Sequence, residues 1–164
     1  NLHSAHAYLL DQFFSPLINK RTDAYNGYTL EGRTLIHMEL IKGIRQVIGD
    51  KSLFALRLGG CDYTVGGTTI EDAVWACRRF EEAGVDLLDI SGGTCCYARK
   101  GHNYPGYFGD ISEAVKKEVH IPVLLTGGVR TVQDAEMLLK EEKADMIGVG
   151  RIITAKPDWG MELI

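Results

Sequence analysis

The sequence has few cysteines, and none of them is spaced for a metal site or a disulfide framework. There are four in 164 residues, Cys61, Cys77, Cys95 and Cys96, and no two form a Cys-x-x-Cys pair. Adjacent Cys95 and Cys96 are poorly placed to bridge to each other or to ligate one ion. We therefore expect free thiols, as in the reducing cytoplasm, and we predict no metal site.

The sequence also lacks a long apolar run, a secretory leader and a basic patch. No segment approaches the length of a membrane span, and the start Asn1-Leu2-His3 has neither the charged nor the apolar region of a signal peptide. The formal net charge is -4, and the lysines and arginines are scattered. We expect a cytoplasmic protein with a small-molecule substrate and neither a nucleic-acid nor a membrane partner.

The composition is that of a globular domain, and the hydrophobic pattern indicates an α/β fold. Of all residues, 45% are hydrophobic and 24% are charged. From Lys51 onward, short apolar runs alternate with segments of helical spacing, which predicts βαβ units and a parallel sheet. Strands are predicted at 53–58, 86–90, 122–126 and 145–149, and residues 1–3 would end a further strand.

Helices are predicted between these strands from apolar spacing and from capping signals. Leu35, Ile36, Leu40, Ile44 and Val47 form an apolar stripe that predicts a helix over residues 31–48. Two later helices are predicted to start at capping boxes, formed by Thr69 with Asp72 and by Thr131 with Asp134.

Glycine and arginine follow the last two predicted strands. Gly127 and Gly128 separate a strand from a helix, and the next strand leads into Gly150 and Arg151. Glycine lets backbone N–H groups approach an anion, and a guanidinium suits phosphate. One Gly-Gly turn alone is more often only a tight turn, but in (β/α)₈ barrels the loops after strands 7 and 8 commonly build a phosphate site.

Counting strands back from this phosphate site gives the fold prediction. The chain is expected to be a partial (β/α)₈ TIM barrel, approximately strands 4 to 8 with their helices. Residues 1–164 would form a single domain, the C-terminal half of the barrel, with the N-terminal half missing. Because five strands cannot close a barrel, we expect this half to pair with the missing part or with another copy.

His3, His6 and Tyr8 lie together at the predicted carboxyl end of the first strand. A zinc site is one interpretation, but no third ligand has a convincing spacing. Two structural histidines with a packed tyrosine are a second. The third is catalytic: two imidazoles would hold an oxygen that gains negative charge, and the phenol would donate a proton.

Arg57 lies within an apolar strand and therefore needs a partner. A cation buried in a central strand is costly unless it is paired. The sequence leaves a structural salt bridge and a contact with a bound ligand about equally plausible.

Three segments carry a resemblance to a known family. They are HSAHAYLLDQFFSP at 3–16, NKRTDAY at 19–25, and the glycine motifs at 127–130 and 150–151. With them, essentially the whole chain resembles the C-terminal half of the FMN-binding barrel in the old yellow enzyme family of NADH:flavin oxidoreductases. It departs from the family pattern at Ala7, at Asn26-Gly27-Tyr28 and at Gly32.

The resemblance implies an FMN-dependent oxidoreductase of the ene-reductase type, in which NADH or NADPH reduces FMN. The flavin then passes a hydride to an activated alkene such as an enone. By the same resemblance, His3 and His6 bind the substrate carbonyl oxygen and Tyr8 donates the proton. The cofactor-binding residues would be Arg57, Gly127, Gly128, Gly150 and Arg151.

Two other functions are compatible with the sequence. The chain could be a catalytically inert half-barrel fragment or oligomerisation module. It could also be a phosphate-binding aldolase or isomerase barrel, although no lysine stands at a strand end suited to Schiff-base chemistry.

Overall fold

Five parallel strands form one sheet in the computed structural model, which describes residues 1–163. The strands are β1 (Leu2–Ser4), β2 (Ala55–Gly59), β3 (Leu87–Ser91), β4 (Val123–Thr126) and β5 (Met146–Gly148). They lie in sequence order, β1-β2-β3-β4-β5, and each pairs in parallel with the next. This is the order of consecutive strands in a (β/α)₈ barrel, as predicted.

Helical segments follow each strand. They are α1 (Leu9–Phe14), α2 (Leu30–Ile48), α3 (Ile70–Glu82), α4 (Gly109–Lys116), α5 (Val132–Lys140) and α6 (Arg151–Ala155), with a final 3₁₀ turn at Trp159–Leu163. Both predicted capping boxes are present, at the starts of α3 and α5. None of the helices within residues 1–163 is long and apolar enough to cross a membrane.

The predicted strands were placed correctly, but their ends differ by one or two residues. The largest difference is at β2, which was predicted from Leu53 and begins at Ala55. Leu53 is 72% exposed, and the next residue, Phe54, gives its N–H to Asp86 Oδ2 at 2.7 Å. The N–H of Phe54 is thus bound by a side chain, and pairing with the neighbouring strands begins at Ala55.

The two faces of the sheet differ in character. Successive residues of a strand point to opposite faces. One face packs against the helices through fully buried aliphatic side chains, Leu56, Leu58, Leu88, Ile90, Val123 and Leu125. On the other face the strand register aligns His3, Arg57, Asp89, Leu124 and Met146 in one row. This second face carries the candidate site.

The helix predicted over residues 31–48 is present as α2, and polar residues make up much of its buried face. Val47 is 86% exposed and Leu40 is also exposed, while Arg33, Thr34, His37 and Ile41 face the protein. The polar members of this buried face have partners, which lowers the cost of burial. Arg33 pairs with Asp72 at 3.0 Å, and His37 Nε2 is hydrogen-bonded to the Ser4 hydroxyl at 2.6 Å.

Candidate active site

A cavity of about 850 Å³ opens at the carboxyl ends of β2 to β5. Its lining includes all five residues predicted to bind the cofactor, Arg57, Gly127, Gly128, Gly150 and Arg151. These residues are far apart in sequence and belong to three strand ends. The parallel sheet therefore brings the predicted phosphate loops and the buried cation to one site.

The glycine turn after β4 is shaped by a tyrosine that the sequence analysis missed. Gly127 and Gly128 have φ angles of +131° and +74°, and a Cβ on Gly128 would lie 2.7 Å from the Tyr107 ring. Both conformation and space therefore require glycine here. By contrast, a Cβ on Gly150 would meet nothing within 4 Å, so this second turn leaves open space beside Arg151.

Tyr107 also holds the arginine of the predicted phosphate site. Its hydroxyl accepts a hydrogen bond from Arg151 Nη2 at 3.3 Å and donates one to the Tyr97 carbonyl at 2.6 Å. Tyr97 also lines the cavity. The open space at Gly150, the adjacent guanidinium and the glycine backbone together fit the phosphate group of FMN.

Arg57 is held by two partners at the cavity wall. Its Nη2 donates to Thr126 Oγ1 at 3.0 Å, and its Nε lies 3.5 Å from Asp89 Oδ2. Asp89 was not singled out from the sequence, because a single acid in an apolar strand gives no signal of its partner. Arg57 thus has a salt bridge and also lines the cavity, so the two interpretations left open by the sequence are compatible.

His3, His6 and Tyr8 form a cluster beside this cavity rather than in its wall. The His3 ring centroid lies 5.4 Å from that of His6 and 5.3 Å from that of Tyr8. His6 Nε2 is hydrogen-bonded to the Ser91 hydroxyl at 2.7 Å, and Ser91 lines the cavity. Tyr8 is 63% exposed, so its phenol is accessible.

The backbone that presents this cluster adopts an unusual conformation. His6 and Ala7 both have φ near +60°, a region that non-glycine residues rarely occupy. The Ala7 N–H donates to Asp11 Oδ2 at 2.7 Å, and the His6 N–H donates to the Gly92 carbonyl at 3.2 Å. These bonds turn the chain sharply after β1 and set the imidazoles beside Ser91.

The histidines of the cluster are uncharged at neutral pH. Desolvation, followed by the positive charge of Arg57, lowers the pKa of His3. Desolvation, then Arg57, then His3 lower the pKa of His6 to about 4. A neutral imidazole keeps one N–H donor, which is what binding a substrate oxygen requires. Within residues 1–163, no three potential ligands lie together as a metal site would need.

Residues 1–163 match the family model described as NADH:flavin oxidoreductase / NADH oxidase. The chain belongs to this family. FMN is the family's cofactor, and NADH or NADPH is its reductant. The match favours a flavin enzyme over the aldolase or isomerase alternative.

Two curated relatives illustrate the similarity. An NADPH dehydrogenase of Halalkalibacterium halodurans is 37% identical over 161 residues, which cover 98% of this chain and 46% of the relative. An NADH oxidase of Thermoanaerobacter brockii is 34% identical over 162 residues, which cover 96% of this chain and 25% of the relative. The chain therefore spans between a quarter and a half of the length of these relatives.

Solved structures show the same partial coverage. A 2-naphthoyl-CoA reductase bound to 2-naphthoyl-CoA superimposes with a TM-score of 0.88 at 27% identity, over 98% of this chain and 25% of that one. The old yellow enzyme of Trypanosoma cruzi shares the fold, with a TM-score of 0.75 at 21% identity, over 98% of this chain and 41% of that one. These matches confirm the partial-barrel prediction.

Proposed function

We propose that the protein is an FMN-dependent ene-reductase, which uses NADH or NADPH to reduce an activated alkene such as an enone. One observation carries the proposal. The His3, His6 and Tyr8 cluster adjoins the cavity lined by the five predicted cofactor residues, and the Ser91 hydroxyl connects the two. Substrate-polarising donors, an accessible phenol and a phosphate-binding cavity thus lie side by side.

The cavity supplies the groups that would hold the cofactor. Arg151, positioned by Tyr107, and the N–H groups of the turns at Gly128 and Gly150 would bind the FMN phosphate. Arg57 would face the isoalloxazine ring from the cavity wall. When bound, FMN supplies the redox step, taking a hydride from NAD(P)H and giving one to the alkene.

The cluster would bind and protonate the substrate. His3 and His6, being neutral, would each donate one N–H to the carbonyl oxygen of an enone. His6 would do so through Nδ1 while its Nε2 accepts from the Ser91 hydroxyl. These bonds strengthen as negative charge gathers on that oxygen, so they stabilise the transition state more than the ground state. The Tyr8 hydroxyl would donate the proton that completes the reduction at the α-carbon.

The test uses the intact protein that carries this chain. It should purify with bound flavin and oxidise NADH or NADPH in the presence of 2-cyclohexen-1-one. Loss of a general acid costs about 10²- to 10⁴-fold in rate, so Tyr8→Phe should lower alkene reduction by at least about 100-fold while flavin stays bound. Tyr28→Phe is the matched control, because Tyr28 is also an exposed tyrosine but lies outside the cluster and the cavity.

Two outcomes would contradict the proposal. If Tyr8→Phe binds flavin and reduces the alkene at the wild-type rate, Tyr8 is not the proton donor. An intact protein without flavin would favour the inert half-barrel or oligomerisation module.

We also propose that this chain is the C-terminal half of a barrel completed by an N-terminal half or by a second copy. Within residues 1–163, β1 pairs only with β2 and β5 only with β4, so each end of the sheet has an unpaired edge. Light scattering of the 164-residue chain should therefore show an oligomer, and addition of a matching N-terminal half should convert it to a one-to-one complex. A monodisperse monomer that forms no complex with the added N-terminal half would contradict this proposal.

A further inference from the structure

Asp89 lies in β3 and lines the cavity beside Arg57, the arginine proposed to face the flavin. We propose that Asp89 is a positioning residue that sets the reduction potential of bound FMN by offsetting the charge of Arg57 and fixing its guanidinium. This inference rests on the proposed binding of FMN in the cavity next to Arg57.

The geometry makes Asp89 the immediate electrostatic partner of Arg57. The strand register aligns the two residues on neighbouring strands, and Asp89 Oδ2 lies 3.5 Å from Arg57 Nε. Asp89 is only 7% exposed, so water screens this pair weakly. Both side chains line the cavity, so a cofactor there experiences their combined field.

A second tether fixes the orientation of the guanidinium. The Thr126 hydroxyl gives its proton to the Ile90 carbonyl at 3.1 Å, which leaves its oxygen free to accept from Arg57 Nη2 at 3.0 Å. Nε and Nη2 are therefore directed toward the protein by Asp89 and Thr126. Among the described residues, Thr126 is the hydrogen-bond acceptor of this arginine, and the guanidinium is otherwise open to the cavity.

Asp89 is not arranged as an optimal structural salt bridge. Its Oδ1 is buried and accepts no hydrogen bond within residues 1–163, and Arg57 Nε meets Oδ2 at ion-pair rather than hydrogen-bond distance. A buried carboxylate with an unsatisfied oxygen is costly to folding. Its placement is better explained by an effect on the cavity than by a contribution to stability.

The charge of Asp89 has a predictable effect on the flavin. Two-electron reduction adds negative charge to the ring, and a nearby guanidinium favours that charge. Asp89 opposes this effect because its carboxylate offsets the positive charge. Removing the carboxylate should therefore stabilise reduced FMN relative to oxidised FMN.

The test is a redox titration of the intact, flavin-loaded protein followed by flavin absorbance. Asp89→Asn should raise the potential, and we expect about a tenfold increase in the ratio of affinities for reduced over oxidised FMN, or about 30 mV for a two-electron couple. Asp89→Ser also removes the charge, and it must shift the potential in the same direction. An unchanged or lowered potential in either flavin-loaded variant would overturn the proposal.

Two further variants separate charge from position. Thr126→Val removes the other tether without changing any charge, so it should weaken FMN binding but shift the potential much less than Asp89→Asn. In an Arg57→Met background, Asp89→Asn should no longer raise the potential, because the positive charge that the Asp89 carboxylate offsets is absent. An equal shift in both backgrounds would show that Asp89 does not act through Arg57. A wild-type protein without flavin would instead contradict the proposed function itself.

Discussion

His3 and Arg57 lie directly opposite each other in the register of β1 and β2. This pairing places a fixed positive charge next to the imidazole cluster. The same charge lowers the pKa of His3 and of His6, second in each case to desolvation. One arginine thus lines the proposed cofactor cavity and also adds to the desolvation that lowers the pKa values of the proposed substrate-binding histidines.

Replacing Arg57 should therefore raise the pKa of His6. In Arg57→Met the pKa of His6 should rise from about 4 toward, but not to, its ordinary value of 6.5, because burial remains the larger cause. An NMR titration of the imidazole protons measures this. Arg45→Met is the control, since Arg45 pairs with Asp86 before β3, at the other end of the strand. A His6 pKa that is the same in both variants would contradict the electrostatic link.

The glycine turn after β4 should not tolerate a side chain. At Gly128, φ is +74° and a Cβ would lie 2.7 Å from the Tyr107 ring. Gly128→Ala should lower the free energy of unfolding by about 1–3 kcal/mol and weaken FMN binding. In Gly43→Ala the new Cβ meets nothing within 4 Å inside α2, so stability should rise by up to about 1 kcal/mol. Urea unfolding and flavin titration measure both variants, and equal effects would contradict the steric argument.

The features predicted from the sequence were those with a local cause. The capping boxes at Thr69 and Thr131 depend on residues three positions apart, and the glycine turns depend on backbone conformation at the turn itself. The parallel sheet followed from the alternation of short apolar runs with helical segments. Each of these could be deduced without knowing which distant residues come into contact.

The features that were missed depend on distant contacts. Asp89 and Tyr107 gain their roles only from Arg57 and Arg151, which lie 32 and 44 positions away in the chain. The burial of His37 on α2 gave no signal either, because hydropathy treats histidine as polar and its partner Ser4 lies 33 positions earlier. Such partners are set by strand order and helix packing, which no short sequence window contains.

The start of α2 offers a test of one departure from the family pattern. A Cβ on Gly32 would lie 2.6 Å from both the side-chain nitrogen and the backbone oxygen of Asn26. The Asn26 side chain is held there because its Oδ1 accepts from the N–H and the hydroxyl of Thr29, each at 3.0 Å.

Gly32→Ala should therefore destabilise the protein by about 1–3 kcal/mol, although alanine normally favours a helix. In an Asn26→Gly background the penalty should be smaller, because one of the two clashing groups is gone. Urea unfolding of the two single variants and the double variant measures the coupling. Strictly additive effects would mean that Asn26 and Gly32 do not compete for the same space.

His37 should make stability depend on pH in a defined direction. Its side chain is fully buried, hydrogen-bonded to Ser4 and stacked on Phe80. Burial lowers its pKa from 6.5 to about 4. Between these two values the unfolded chain binds more protons than the folded one, so acidification favours unfolding. The stability contributed by the neutral imidazole is complete above pH 6.5, and about 3 kcal/mol of it should be lost by pH 4.

A variant that cannot titrate isolates this effect. His37→Gln keeps an amide for the Ser4 hydroxyl but should be less stable than the wild type at pH 7, because the ring packing against Phe80 is lost. The gap between the two should narrow by about 3 kcal/mol from pH 7 to pH 4, since only the wild type loses stability through residue 37. Asp11 and Asp89, whose pKa values burial raises to about 7 and about 6, titrate in both proteins and cancel in the difference. Urea unfolding across this pH range measures the gap, and parallel curves would show that the His37 imidazole does not remain neutral in the folded protein.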